Sequence, residues 1–346
     1  SLDLDTFLHL CVIPSKDKAC FEGLIPSQLQ DRVIYLDYEG EGLQAWNTKV
    51  NQVLHGKDKL KEQLMKVVDQ ALLKKVIIER SRSSHKGDYG RLLLIGGKYP
   101  YGGAIIMAAL GTVRSGAGLV TVATDKENIT ALHSHVPEAM AFALDDKQLL
   151  EQQLETANVV LVGPGLVDDE RGEELLQTVF HHLSQEQTLI LDGGALSIFA
   201  KTGLKFPKAH LVLTPHQREW QVLSGLDLTS QGAEETGEAL KSFPSGTVLV
   251  QKGPATRIWQ AGQADFYQLE VGGPYQATGG MGDTLAGMIA GFAGQFPQVS
   301  LYERVTVATY LHSAIAQELA ENNYVVLPTT ISQHIPTFMK KIQKDT

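Results

Sequence analysis

Gly279-Gly280-Met281-Gly282-Asp283-Thr284-Leu285-Ala286-Gly287, running on into Met288-Ile289-Ala290-Gly291, is the stretch from which the rest of the chain can be read. Glycines this dense break a regular element, because glycine reaches backbone angles that other residues avoid. The residues that follow are small and apolar at helical spacing (Ala286, Gly287, Ala290, Gly291 and Gly294), the pattern of a tightly packed helix. A glycine turn feeding a helix N-terminus leaves backbone N–H groups free and concentrates partial positive charge there, which makes an anion site. Asp283 falls in the first turn of that helix. A carboxylate beside a phosphate site repels the phosphate, and the chemical reason to keep one is to take a proton from a hydroxyl that attacks phosphorus. The plainer reading of the same stretch is a helix start with an acidic first-turn residue.

Working upstream, apolar β-branched runs alternate with helical stretches from about residue 76. The strand-like runs are Arg91–Ile95, Gly118–Thr124, Asn158–Val162, Thr188–Leu191, His210–Leu213 and Thr247–Gln251. Helical patterns cover Tyr101–Ser115 and Asp169–Leu183, then Leu301–Glu321 and Ile331–Lys344 beyond the glycine loop. Continuous apolar strands separated by helices predict an α/β fold with a mostly parallel central sheet and helices on both faces. Arg257–Trp259 and Phe266–Leu269, joined through a glycine-containing turn, predict a small antiparallel hairpin at the sheet edge. Five strands end in polar or glycine-bearing tails: Gly96-Gly97, Gly163-Pro164-Gly165, Asp192-Gly193, Thr214-Pro215-His216 and Lys252-Gly253. Ligands of open α/β sheets bind beyond the carboxyl ends of the strands, so these tails predict a long groove for an extended, phosphorylated molecule.

The first 65 residues form an N-terminal extension of unreadable role, and residues 66–346 form the main domain. Within the extension, Val33–Leu36 reads as a short strand, and Trp46, Cys11 and Cys20 read as packing residues. Lys57–Lys75 carries apolar residues at amphipathic spacing and reads as a helix. The 346 residues are 43% hydrophobic and 20% charged, enough for a sizeable core. A net charge of −9 argues against nucleic acid as a partner. Two cysteines, both near the N-terminus, make neither a disulfide framework nor a zinc set and fit a reducing cytoplasm. Asp3 and Asp5 stand where a secretion signal would carry basic residues, and no apolar run is long enough to cross a membrane.

Several ordered motifs together resemble the ADP-dependent (6S)-NAD(P)H-hydrate dehydratases of the ribokinase-like superfamily. They are His85-Lys86-Gly87-Asp88-Tyr89-Gly90, Arg114-Ser115-Gly116-Ala117-Gly118, Gly163-Pro164-Gly165-Leu166, Leu191-Asp192-Gly193-Gly194, Thr214-Pro215-His216, Lys252-Gly253-Pro254-Ala255-Thr256 and the opening glycine loop. The resemblance covers about four-fifths of the chain and implies a ribokinase-like fold. The implied activity is repair of hydrated nicotinamide cofactors: the nucleotide phosphorylates the added ring hydroxyl, and phosphate then leaves. By position, Asp283 is the implied base, with Gly280 and Gly282 holding the transferring phosphate. Ala104, Gly165, His216 and Asp283 are implied to bind hydrated NADH or NADPH. Lys252, Gly253, Pro254, Ala255, Thr256 and Gly282 are implied to bind ADP, or ATP, with Mg2+ as cofactor. Asp192 is open between a magnesium shell, a ribose contact and a helix cap. Gln217-Arg218 departs from the family's usual Pro-Gly after His216, although Glu219 is kept. The resemblance also implies a cytoplasmic homo-oligomer, with a tetramer favoured, and neither a nucleic-acid nor a membrane partner. The competing readings are a ribokinase-like kinase of a small alcohol, whose product keeps its phosphate, and a nucleotide-sensing module without chemistry.

Overall fold

A computed structural model describes residues 64–344, together with two short strands of the preceding segment, Cys11–Pro14 (β1) and Val33–Leu36 (β2). The chain divides into two compact units, Ser1–Leu64 and Met65–Thr346. In the first, β1 and β2 pair in parallel, with Cys11 opposite Val33, and the second of these is the strand expected at Val33–Leu36. Trp46, Cys20 and the first part of the expected Lys57–Lys75 helix lie outside the described residues.

In chain order the second unit begins β3 (Met65–Lys66), α1 (Gln70–Val76), β4 (Arg91–Ile95), α2 (Gly102–Arg114), β5 (Leu119–Thr124), α3 (Asn128–His135), β6 (Met140–Ala143) and α4 (Lys147–Thr156). It continues with β7 (Val159–Val162), α5 (Glu170–His182), β8 (Thr188–Leu191), α6 (Gly194–Thr202), β9 (His210–Leu213) and α7 (Gln217–Ser224). The last elements are α8 (Ala233–Ala239), β10 (Val248–Gln251), β11 (Arg257–Gln260), β12 (Phe266–Gln268), α9 (Met281–Ala293), α10 (Leu301–Ala320) and α11 (Pro328–Lys344). The described strands of this unit form one sheet in the order β3-β12-β11-β10-β9-β8-β7-β4-β5-β6. All neighbours are parallel except β10–β11 and β11–β12. Helices cover both faces, which is why β7, β8 and β10 are buried at every position. The strand order runs one way from β4 through β5 to β6 and the other way from β7 through β8 to β10, so β4 and β7 flank the point where the winding reverses.

Two sheet edges differ from the sequence reading. Lys57–Lys75 is not one helix: Met65-Lys66 pairs in parallel with Phe266-Tyr267, outside the hairpin that was expected to form the rim. The Lys66 ammonium is held by the Asp265 carboxylate and lies 5.5 Å from the centroid of the Tyr267 ring. Asp69 then starts α1 by accepting a hydrogen bond from Leu72 N at 2.8 Å. At the opposite edge, β6 went unread because Met-Ala-Phe-Ala has neither alternation nor β-branched residues.

The opening glycine stretch forms α9, and its small residues do what their spacing predicts. A Cβ on Gly287 would collide with Ala108 O of α2, and one on Gly111 of α2 would lie 2.9 Å from Thr284 O. The hydroxyl of Thr112 donates to Gly287 O at 2.9 Å across this contact. Alanine is the better helix former by about 1 kcal/mol. Gly287→Ala is nevertheless expected to destabilise the domain by about 1–3 kcal/mol, read as a lower denaturant midpoint.

The distinctive His85–Gly90 and Arg114–Gly118 motifs both stand before the first residues of β4 and β5, at the amino ends of the strands. Gly118 lies tight against Lys86 O, and Gly90 against Gly294 O at the far end of α9. The Arg80 guanidinium sits 3.7 Å from the Tyr89 ring centroid and donates to Gly116 O and Gln295 Oε1. These motifs brace the sheet against α9 and do not face the carboxyl ends of the strands.

Candidate active site

The glycine turn delivers the helix start that its sequence implies. Gly280 adopts φ +92° as the residue before α9, and a Cβ there would collide with the Met107 side chain of α2. The left-handed angle and the collision both require glycine. The first amides of α9 therefore point out of the helix end, with Asp283 in their turn.

The ends of β8, β9 and β10 bring a charged cluster to this helix start. Asp192, directly after β8, is buried and accepts hydrogen bonds from the Thr214 hydroxyl at 2.6 Å and from Lys252 Nζ at 2.9 Å. Gly193 and not Asp192 precedes α6 as its cap, which removes the helix-cap reading of Asp192. The Lys252 ammonium lies 3.4 Å from where a Cβ on Gly282 would be, so glycine at 282 leaves room for a cation against the helix start. Burial alone would push the Lys252 ammonium toward its neutral form, but Asp192, Glu219 and Asp283 together outweigh burial and hold it charged. Burial, with repulsion from Asp192, pushes the Asp283 carboxyl up to about 6, and Lys252 limits the rise.

After Thr214-Pro215, His216 caps α7. Its Nδ1 accepts from Arg218 N and Glu219 N at 3.2 Å, and Glu219 Oε2 accepts from His216 N at 2.8 Å. The Gln217-Arg218 departure thus leaves a complete capping box with Glu219. Nδ1 of His216 is occupied by the cap, and Nε2 faces Glu219 Oε1 at 3.5 Å. The Glu219 carboxyl is raised by burial, opposed by Lys252.

The Lys252–Thr256 loop leaves the sheet at the end of β10. Gly253, Pro254 and Ala255 are exposed, and the Thr256 hydroxyl closes the turn on Gly253 O at 3.1 Å. On the other side of α9, Ala104 and Gly165 meet: a Cβ on Gly165, which has φ +66°, would lie 3.1 Å from the Ala104 Cβ. The residues named from sequence therefore fall into two groups on either side of the α9 start, Lys252–Thr256 with His216 and Ala104 with Gly165.

One buried residue near the cluster was not foreseen. His312 of α10 is pushed down to about 4 by burial, against a backbone bond at Met281, so it is neutral near pH 7. Its Nε2 has no hydrogen-bond partner among the described residues. A lone histidine in the apolar run of Leu301–Ala320 was the only signal available in the sequence. Among the described residues no three His, Cys, Asp or Glu side chains converge closely enough to hold a metal ion. No helix among them is long and apolar enough to cross a membrane.

The family model described as NAD(P)H-hydrate dehydratase matches residues 92–337, a span that contains the charged cluster, the glycine turn and α9. The chain belongs to the NAD(P)H-hydrate dehydratase family. Within that family, the ADP-dependent (S)-NAD(P)H-hydrate dehydratase of Streptococcus pneumoniae is 71% identical over 278 residues, covering 80% of this chain and 96% of that protein. A ribokinase-like superfamily protein from Enterococcus faecalis is 42% identical with a TM-score of 0.77, covering 81% of this chain and 98% of that structure. The ADP/ATP-dependent NAD(P)H-hydrate dehydratase of Bacillus subtilis, co-crystallised with ATP and Mg2+, is 28% identical with a TM-score of 0.69, over 80% of this chain and 98% of that one. The fold is the ribokinase-like α/β fold of these dehydratases, with its mixed sheet and antiparallel hairpin.

Proposed function

We propose that this chain dehydrates (6S)-hydrated NADH and NADPH back to NADH and NADPH, using ADP as phosphoryl donor. The observation that carries the reading is the Asp283 carboxyl, raised to about 6, set among the free amides of α9 and beside the Lys252 ammonium. Lys252, Gly253, Pro254, Ala255 and Thr256, with Gly282, bind the nucleotide: the ammonium and the exposed loop amides meet its phosphates. Ala104, Gly165 and His216 bind the hydrated dinucleotide. Asp283 takes the proton of the ring hydroxyl as that oxygen forms its bond to the terminal phosphorus. The bond from phosphorus to the remaining nucleotide breaks, and the amides at Gly280 and Gly282 carry the charge that develops on the phosphoryl oxygens. In the second step the ring nitrogen's lone pair expels inorganic phosphate as the C–O bond breaks, and the resulting iminium loses a proton from the adjacent ring carbon to phosphate or water, which restores the ring double bond and the nitrogen lone pair.

Magnesium fits this site as an ion that would arrive with the nucleotide's phosphates, since among the described residues no three His, Cys, Asp or Glu side chains converge to hold the ion alone. Asp192 and Glu219 would hold it from the protein side. When bound, it neutralises phosphate charge. A cytoplasmic homo-oligomer, with a tetramer favoured, completes the reading on the strength of the family resemblance.

A small-alcohol kinase would use the same base and the same amides, and the two readings part at the fate of the phosphate. Incubating the protein with hydrated NADH, Mg2+ and either ADP or ATP is expected to restore the absorbance of reduced nicotinamide with stoichiometric free phosphate, faster with ADP. No recovery with either nucleotide, from folded protein that binds ADP, would sink the dehydratase reading.

A further inference from the structure

The start of α9 lacks the device that usually fixes a helix end. Gly280 precedes the helix and has no side chain, so no side-chain hydrogen bond closes on the first turn. Such a cap would also occupy the amides that a phosphate needs. Gly279, Gly280 and Gly282 give this turn a backbone with much freedom to lose on ordering. It must therefore be held by something other than its own amides. Gly280 is wedged between Met107 of α2 and Pro328 of α11, whose side chains approach the place of its absent Cβ. At the far end of the loop leading into the turn, Gly272 N donates to Gln317 Oε1 of α10 at 3.2 Å. A Cβ on Gly272 would lie 3.4 Å from the Ser313 side chain of the same helix. Beside Ser313, His312 is buried and meets the backbone of Met281, the first residue of α9. That contact favours a protonated ring, the sign of an imidazole N–H directed at a carbonyl. α10 thus grips the loop at both ends, Gly272 through Gln317 and Met281 through His312. Lys252 is near enough for its charge to oppose protonation of the ring, so the donor that fits here is a neutral one.

We propose that His312 is a positioning residue: it donates to the Met281 carbonyl and so holds the first turn of α9, with the amides at Gly280 and Gly282 and the Asp283 carboxyl, aimed at the transferring phosphoryl group. The role rests on the proposed dehydratase reading of that turn. An anchor on the carbonyl side leaves every amide of the turn free for phosphate, which a side-chain cap would not. A neutral imidazole also sets no second buried cation beside Lys252. The charge that these amides meet develops in the transition state, so loosening them lowers turnover and spares substrate binding.

The test separates the donor from the space it fills. His312→Phe fills the space of the ring without a donor, while His312→Asn and His312→Gln place an amide N–H near one ring nitrogen or the other. With hydrated NADH and ADP, His312→Phe is expected to lower kcat by about ten- to a hundredfold, as for a small misplacement of reacting groups. Both KM values should stay within about threefold of wild type, because the lost contribution belongs to the transition state. The better of the two amide variants should regain most of the lost kcat. Amide hydrogen exchange at Thr284–Ala286 should quicken about tenfold in His312→Phe, and exchange in β4 should not change. Undiminished kcat in folded His312→Phe would overturn the inference. So would KM values that rise as much as kcat falls, a loss that neither amide variant relieves, or unchanged exchange at Thr284–Ala286. Should His312→Phe fail to fold, nitrogen-15 histidine spectra of the wild-type protein decide. The His312 ring, assigned by its absence from a folded amide variant, should be neutral at pH 6 and show a slowly exchanging N–H, since burial pushes it down to about 4. A ring that is charged there, or whose N–H exchanges at once with solvent, overturns the inference. Wild-type protein that restores no hydrated NADH refutes the dehydratase reading, and the exchange data and ring spectra then still decide whether His312 holds the turn.

Discussion

Asp283→Asn is expected to lower kcat by about two to four orders of magnitude, the range that a positioned general base contributes, while ADP binding is retained. Asparagine keeps the size of the side chain and its place in the first turn of α9 but cannot take the hydroxyl proton. The wild-type pH profile carries the same signature. With the Asp283 carboxyl at about 6, kcat/KM should fall roughly tenfold per unit as pH drops below about 6 and the base is protonated. Stability moves the other way. The folded carboxyl holds its proton up to about pH 6, whereas the unfolded one loses it near the ordinary carboxylate value of 3.8. The native state therefore binds the extra proton between those values, and above pH 6 it carries a carboxylate that burial disfavours. Asp283→Asn removes that burden, so it should melt higher than wild type at pH 8, by about 1–2 kcal/mol after allowing for solvent access. The gain should shrink as pH falls toward 4. Undiminished turnover in the variant would place the base elsewhere.

Lys252→Met should cost both stability and activity, for separable reasons. The ammonium is the counter-charge for Asp192 at 2.9 Å and also attracts Glu219 and Asp283. Its removal leaves the buried Asp192 carboxylate with only the Thr214 hydroxyl, a loss of about 3–5 kcal/mol for breaking a buried pair from one side. It also strips the proposed nucleotide loop of its cation and lets the Asp283 carboxyl rise further, so residual activity should shift to higher pH. Adding Asp192→Asn removes the stranded charge while keeping an acceptor for Thr214. The double variant should recover most of the denaturant midpoint and none of the turnover. Recovery of turnover along with stability would mean that Lys252 serves the fold alone.

The central strands were legible because strands covered on both faces are written as unbroken apolar runs, as in Val159–Val162 and Thr188–Leu191. The edges were not. Met65-Lys66 is too short for a period, and β6 lacks strand-forming composition. His216 was assigned to the substrate by the resemblance, and the structure gives its Nδ1 to the α7 cap. Glu219 stood out only as a kept residue in an altered loop, and its contact with His216 and its pull on Lys252 emerged with the folded chain. Two of the motifs that carried the resemblance, His85–Gly90 and Arg114–Gly118, brace the amino ends of β4 and β5.

By itself, the sequence determined the parallel α/β architecture, the glycine turn feeding a helix with Asp283 in its first turn, and the family. Each of these is written in local spacing: residue period, glycine placement, the order of motifs along the chain. Only the tertiary structure decided that Lys252 reaches Asp192 across sixty positions of sequence, that His312 lies buried and neutral near Met281, and that a cavity opens where β4 meets β7. Strand order and water exclusion set those features. Both depend on which distant segments pack together, and the charge state of Asp283 follows from that packing and not from its neighbours in the chain.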